Sequence, residues 1–200
     1  MNAERPVLFV TGEVAAYRVG ALACLHEREG IEVATFGGSV RHGGPLGPEA
    51  LPFPTRRLRP RELFAAAASG RYRAVVCPTG GRLALLATWA GARAGRVPLI
   101  LWASLWAHPR SAAHALSFLP LRRLYRSAEA VVTYGPHVSA YVEERGARNV
   151  HIAPQAVDNA FWSSPAVRPP QFADWPAAPV RFLFAGRAGE REKGLDVLLV

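Results

Sequence analysis

The chain has 200 residues, half of them apolar, and a formal net charge of +9. This length buries one core, or one core and part of another, and so apolar a composition excludes intrinsic disorder. Apolar runs stop well short of the roughly 20 residues a bilayer crossing needs, and no basic-then-apolar leader opens the sequence, so a cytoplasmic protein is expected, with peripheral contact at the inner face of a membrane left open.

Strand-like and helix-like runs alternate along the chain. Val7–Val10 is a short apolar run of the kind buried on both faces of a parallel sheet, and Val14–Glu29 reads as a helix closed by Gly30. Ile31–Phe36 reads as a strand, and the Gly- and Pro-rich stretch 37–54 as a loop. Pro60–Ser69 reads as a helix with proline in its first turn. The cycle continues with a strand at Arg73–Cys77, a helix at Thr79–Ala94 ended by Gly95, and a strand at Val97–Ala103. Then come a helical stretch at Pro109–Ser127 kinked or broken by Pro120, a strand at Ala128–Thr133, a helix at Pro136–Arg145 and a strand at Asn149–Ala153. This alternation implies an α/β fold, a Rossmann-like parallel sheet with helices on both faces, whose ligands bind beyond the carboxyl ends of the strands.

The texture changes after Pro154. A proline-rich linker at 166–178 separates a Rossmann-like domain at 1–165 from 179–200, where a new strand and part of a helix begin. One strand and a partial helix cannot bury their own apolar faces, so 179–200 reads as the start of an incomplete second Rossmann-like domain in a truncated chain.

Lys193 is the only lysine, and the positive balance favours anionic partners. The arginines are not interleaved with stacking aromatics, so no nucleic-acid partner is expected. Cys24 and Cys77 lack metal-ligand spacing and read as small buried hydrophobes; no carboxylate cluster suggests a metal either.

Two stretches carry a family resemblance. Ala153-Pro154-Gln155-Ala156-Val157-Asp158-Asn159-Ala160-Phe161-Trp162 resembles the proline, asparagine, glycine, valine-aspartate, phenylalanine signature at the domain junction of glycosyltransferase family four. Phe182-Leu183-Phe184-Ala185-Gly186-Arg187, followed by Glu192-Lys193-Gly194-Leu195-Asp196, resembles the opening of that family's donor domain. Ala128–Arg145 is similar to a third stretch of the same family. The resemblance implies a GT-B architecture, with the acceptor-side domain at 1–165. The implied reaction transfers a hexose, with retention, from a nucleotide diphosphate sugar to a glycan or lipid-linked acceptor, as in cell-envelope polysaccharide synthesis, with no metal or other cofactor. The family's glutamate-containing donor motif would lie beyond residue 200, so the chain by itself is expected to be a fragment with little or no activity.

In the same family frame, Arg187 and Lys193 are the two donor-phosphate cations. Charge grows on the diphosphate as it leaves, and a guanidinium fork beside an ammonium at a helix start suits it. The alternative is an exposed pair on a turn. His108, in the loop Trp102–Pro109, corresponds to a catalytic-loop histidine near the transferred sugar, or serves only structure. Gly12 occupies the place of the acceptor/donor loop, where Thr11-Gly12-Glu13-Val14 lacks the family's double glycine. His137 begins a helix facing the same cleft. Trp102 and Trp106 form an acceptor platform or simply pack. Pro109–Arg126, with Arg110, Arg122, Arg123 and Arg126, reads as a membrane-facing basic amphipathic helix or an ordinary surface one. Two rivals stand beside this reading. One is a nucleotide-sugar 2-epimerase of the same layout, the other a non-catalytic basic binding module.

Overall fold

The computed structural model describes residues 5–37, 51–107 and 112–156, with only the backbone described over 112–116. The chain divides at Trp162–Ser163, and every described residue belongs to the first unit, Met1–Trp162. The strands are β1 (Val7–Thr11), β2 (Ile31–Thr35), β3 (Thr55–Arg57), β4 (Ala74–Pro78), β5 (Leu99–Ala103), β6 (Ala130–Thr133) and β7 (Val150–Ile152). The helices are α1 (Val19–Glu29), entered through a short 3-10 turn at Ala16–Arg18, then α2 (Pro60–Ala68), α3 (Arg82–Gly95), α4 (Ala112–Ser127) and α5 (Pro136–Glu144).

Among the described residues all seven strands are parallel, in the order β3-β2-β1-β4-β5-β6-β7. This is a Rossmann-like α/β sheet. Strand alternation sends Val7, Phe9, Ile31 and Val33 to one face, where they pack on Leu22 of α1 and on Phe53. Leu8, Val10, Val75, Leu99, Leu101 and Val131 point to the other face, under α2, α3, α4 and α5. Helices thus cover both faces.

Local chemistry fixes several ends. Gly30 closes α1 in the left-handed region at φ 61°. Pro60 opens α2, and the Arg59 backbone N–H donates to Glu62 Oε2 at 2.7 Å in a capping box. Pro120 stands inside α4 without ending it. Tyr72 O–H donates to Glu32 Oε2 at 2.9 Å, and Arg56 and Arg71 join the same cluster, tying β2, β3 and the approach to β4.

The structure departs from the sequence expectations in five places. The helix expected from Val14 begins at Val19, after the 3-10 turn at Ala16–Arg18. The stretch read as a loop up to Pro54 leads into an additional strand, β3, a three-residue edge with no apolar run to announce it. The helix expected from Thr79 begins at Arg82, leaving Thr79–Gly81 as a loop. Gly95 does not end α3. It belongs to the helix, and Arg96 takes the left-handed conformation at φ 53° instead. Gly95 serves packing, since a Cβ there would stand 2.9 Å from Ala68 Cα across the α2–α3 contact. Cys24 is exposed, because α1 turns Leu22 to the core and Cys24 to solvent.

Gly91 shows the same close approach. A Cβ there would press on the Phe64 carbonyl and come within 3.0 Å of Ala67 Cβ. Gly91→Leu is therefore expected to cost about 1–3 kcal/mol in urea unfolding, while Leu83→Ala on the exposed side of the same helix stays within about 0.5 kcal/mol. The two thiols should separate as sharply. Burial pushes the Cys77 thiol up to about 12. One thiol per chain, Cys24, should react with a thiol reagent under native conditions and two after denaturation. Because the folded value of Cys77 lies above its free one, stability should fall as pH rises from the ordinary thiol range toward 12.

Candidate functional site

The chain leaves β1 toward β2 on one side and leaves β4 toward β5 on the other. The crevice beyond the carboxyl ends of β1 and β4 is thus the topological switch point, where open α/β sheets take ligands. Three short segments meet there. Thr11-Gly12-Glu13 follows β1, with Thr11 Oγ1 donating to the Glu13 carbonyl at 3.2 Å. Phe36-Gly37 follows β2, and the Gly37 N–H donates to the Gly12 carbonyl at 2.7 Å. Thr79-Gly80-Gly81 follows β4 and starts α3.

Phe36 links them. Its ring lies 3.9 Å from where a Gly12 Cβ would stand and occupies the space that a Gly81 Cβ would fill. Gly81 is also left-handed, at φ 73°. The glycine-rich turn that Thr11–Val14 only half supplies is therefore completed from β4, by Gly80 and Gly81. Sequence reasoning missed this pair, although the signal was legible: a buried strand, two glycines and a helix start, at the strand beside β1.

A polar hollow of about 250 Å³ opens beside Gly12, lined by Thr11, Gly12, Glu13, Ala15, Tyr17, Arg18, Tyr134 and Gln155. A longer apolar groove of about 410 Å³ runs from it along the α1 face of the sheet, and Arg18 and Gln155 line both. The Arg18 guanidinium sits 4.5 Å over the Trp102 ring, whose edges meet Phe9 at 5.3 Å and Tyr134 at 5.8 Å. Trp102 Nε1 is buried with no hydrogen-bond partner among the described residues. Arg18 was not expected from the sequence, since its helical neighbourhood hid it among many arginines.

Neither α3 nor α5 has a side-chain cap at its start. Both begin at strand carboxyl ends, so their positive dipole ends favour an anion on this side of the sheet, although α5 opens on Pro136, which has no N–H, and its Val138 N–H donates to the Gly135 carbonyl at 3.1 Å. The cleft can therefore hold a polyhydroxy or anionic group beside a cation, next to an apolar surface.

The structure places Gly12 in this cleft, at the lip of the polar hollow. His137 is exposed in the first turn of α5 and folds back over Gly135, its Cε1 3.3 Å from where a Gly135 Cβ would stand. It starts the helix beside Tyr134 without lining the hollow. His108, Arg187 and Lys193 lie outside the described residues, as do the 166–178 linker and the 179–200 segment. The two tryptophans part company: Trp102 packs, while Trp106 is 66% exposed in the loop after β5. His26 and His151 are engaged in hydrogen bonds with Ile31 and Asn149. Among the described residues no cluster of His, Cys, Asp or Glu would hold a metal ion, and no helix is long and apolar enough to cross a membrane.

No family model matches the chain, and no curated protein matches it in sequence. Its fold is similar to that of Anabaena Alr3699/HepE, whose crystal structures contain UDP-glucose in one case and UDP and glucose in another. In both superpositions the TM-score is 0.55 at 14% identity, covering 80% of this chain and 46% of HepE. The chain thus spans about half the length of the protein it matches, and the likeness is one of fold.

The two glycines of the β4 loop give the site a direct test. Gly81→Ala should cost about 1–3 kcal/mol, from the left-handed backbone and the Phe36 ring together. Gly80→Ala, where an added methyl meets nothing within 4 Å, should cost under about 1 kcal/mol. Paired urea titrations of the two variants decide it.

Proposed function

We propose that this chain is the acceptor-side part of a nucleotide-sugar-dependent glycosyltransferase of GT-B architecture. The observation that carries the reading is the switch-point cleft. Gly12 and Gly81 bring no Cβ to the cleft, the positive ends of α3 and α5 favour an anion, and Arg18 adds a cation, on a fold similar to that of a protein crystallised with UDP-glucose. A nucleotide diphosphate sugar presents this combination of needs, a polyhydroxy ring joined to an anion.

In this reading a hexose passes, with retention, from the nucleotide diphosphate to a hydroxyl of a glycan or lipid-linked acceptor lying over the β1 loop. The C–O bond between sugar and diphosphate breaks, a C–O bond to the acceptor forms, and the acceptor proton leaves to a base. Arg187 and Lys193 hold the leaving diphosphate, where fixed cations stabilise the charge that develops in the transition state. His108 stands near the transferred sugar, Gly12 lets the backbone approach both substrates, and His137 contributes from the start of α5. No metal is needed where two cations already neutralise the phosphates.

The test is calorimetric titration of the 200-residue protein with UDP-glucose and with ADP-glucose. Binding of at least one is expected. Arg187→Ala and Lys193→Ala should each weaken it by about 10- to 100-fold, the worth of one charge-assisted contact. Unchanged affinity in both variants would remove the phosphate assignment. Preference for a nicotinamide dinucleotide over any nucleotide sugar would overturn the reading as a whole.

A further inference from the structure

Arg18, Ala21, Leu22 and Leu25 stand at i, i+3, i+4 and i+7 from the 3-10 turn into α1, the spacing of one helical stripe. That stripe forms one wall of the apolar groove of about 410 Å³. The sheet forms the other. On β4, β5 and β6, Val75, Cys77, Leu101 and Val131 are buried on the face under α2 to α5. Val76, Ile100, Trp102 and Val132, on the opposite face, are only half-buried and line the groove. A concave apolar surface of this size, with a few polar groups gathered at one end, is the form of a small-molecule site.

The polar groups stand where the groove meets the hollow, since Arg18 and Gln155 line both. Among the described residues Arg18 is the only charged residue lining the groove, and no carboxylate pairs with it. Arg56, Arg71, Arg73 and Arg145 each meet one. The Arg18 guanidinium is held 4.5 Å over the Trp102 ring. A guanidinium resting on a ring by its face keeps its N–H fork for an acceptor. Trp102 adds a second donor, since its Nε1–H is buried without a partner among the described residues. A buried donor left unmade is costly, and an oxygen on an occupant relieves it.

The lining decides the chemistry of the occupant. Its body is apolar, to match the groove, and its polar end is anionic, to match Arg18. A single negative charge fits best. A dianion would have one cation to meet and would also face Glu13, which lines the adjoining hollow. A carboxylate offers two oxygens to the guanidinium fork. We infer that the groove is a binding site for an apolar monocarboxylate, an acyl chain whose carboxylate lies on Arg18. The inference does not rest on the reading of the cleft, where the phosphates are given to Arg187 and Lys193.

Calorimetric titration with laurate, below its micelle concentration, tests it. Laurate should bind, and its methyl ester, with the same chain and no charge, should bind about 10- to 100-fold more weakly, the worth of one charge-assisted contact. Arg18→Gln should weaken laurate by the same factor and leave the ester unchanged. Ala21→Phe, which fills the groove and keeps the charge, should abolish binding of both. Arg122→Gln/Arg126→Gln takes two charges from an arginine-lined groove between α3 and α4, near the amino ends of β5 and β6, and should change neither. No laurate binding, or equal affinity in Arg18→Gln, would overturn the inference. So would dodecyl phosphate binding more tightly than laurate. Self-association of the chain that Ala21→Phe abolishes and laurate does not disturb would give the groove to a second copy and overturn it as well. UDP-glucose titration of Ala21→Phe should match the parent, which separates failure of this inference from failure of the cleft reading. Circular dichroism of each variant separates loss of binding from loss of fold.

Discussion

Parallel strands adjacent in a sheet must be joined by crossovers, and every crossover leaves from a carboxyl end. In this sheet the crossovers change direction between β1 and β4, so the loops that follow those strands diverge. The rest of the site depends on that reversal. It sets the β1 loop and the β4 loop face to face, and it lets Phe36, arriving from β2, place its ring between them. The ring fits because Gly81 brings no Cβ, while at Gly12 it rests at ordinary contact distance from where a Cβ would stand.

The same topology makes the two faces of the sheet unequal. Four helices shelter one face, while α1 and Phe53 shelter the β1–β2 part of the other. The apolar groove follows from this difference, along Phe9, Val76, Ile100 and Val132 to the segment after β7. Trp102 stands where groove and polar cleft join. Its ring is packed by Phe9 and Tyr134 and covered by Arg18, so one aromatic side chain carries a cation at the boundary between an apolar surface and a polar one. The arginine groove between α3 and α4 lies elsewhere, near the opposite ends of the strands.

What could be read from the sequence followed the strength of local signals. Buried strands such as Val7–Thr11 and Leu99–Ala103 announce themselves as short apolar runs, and Gly30 and Pro136 punctuate helices as their backbone preferences dictate. The misses lie where tertiary contacts prevail. Thr55-Arg56-Arg57 forms an edge strand because β2 offers it hydrogen bonds, not because its side chains favour burial. Gly95 looks like a helix terminator but is conscripted for the α2–α3 approach, and Arg96 accepts the strained backbone instead. In the candidate site, Gly12 was legible from its place after the first strand. Gly80, Gly81 and Arg18 needed the strand order, which only the pairing of β1 with β4 supplies. Arg187, Lys193 and His108 rest on their sequence context.

Hydrogen exchange of the 200-residue protein, followed by mass spectrometry with and without a saturating nucleotide diphosphate sugar, tests the central claim most directly. The cleft reading requires slowed exchange in the segments that carry Gly12 to Arg18 and Thr79 to Leu83, with the α3–α4 groove around Arg122 to Arg126 unchanged. Protection confined to that groove, or none at either strand end, would contradict it.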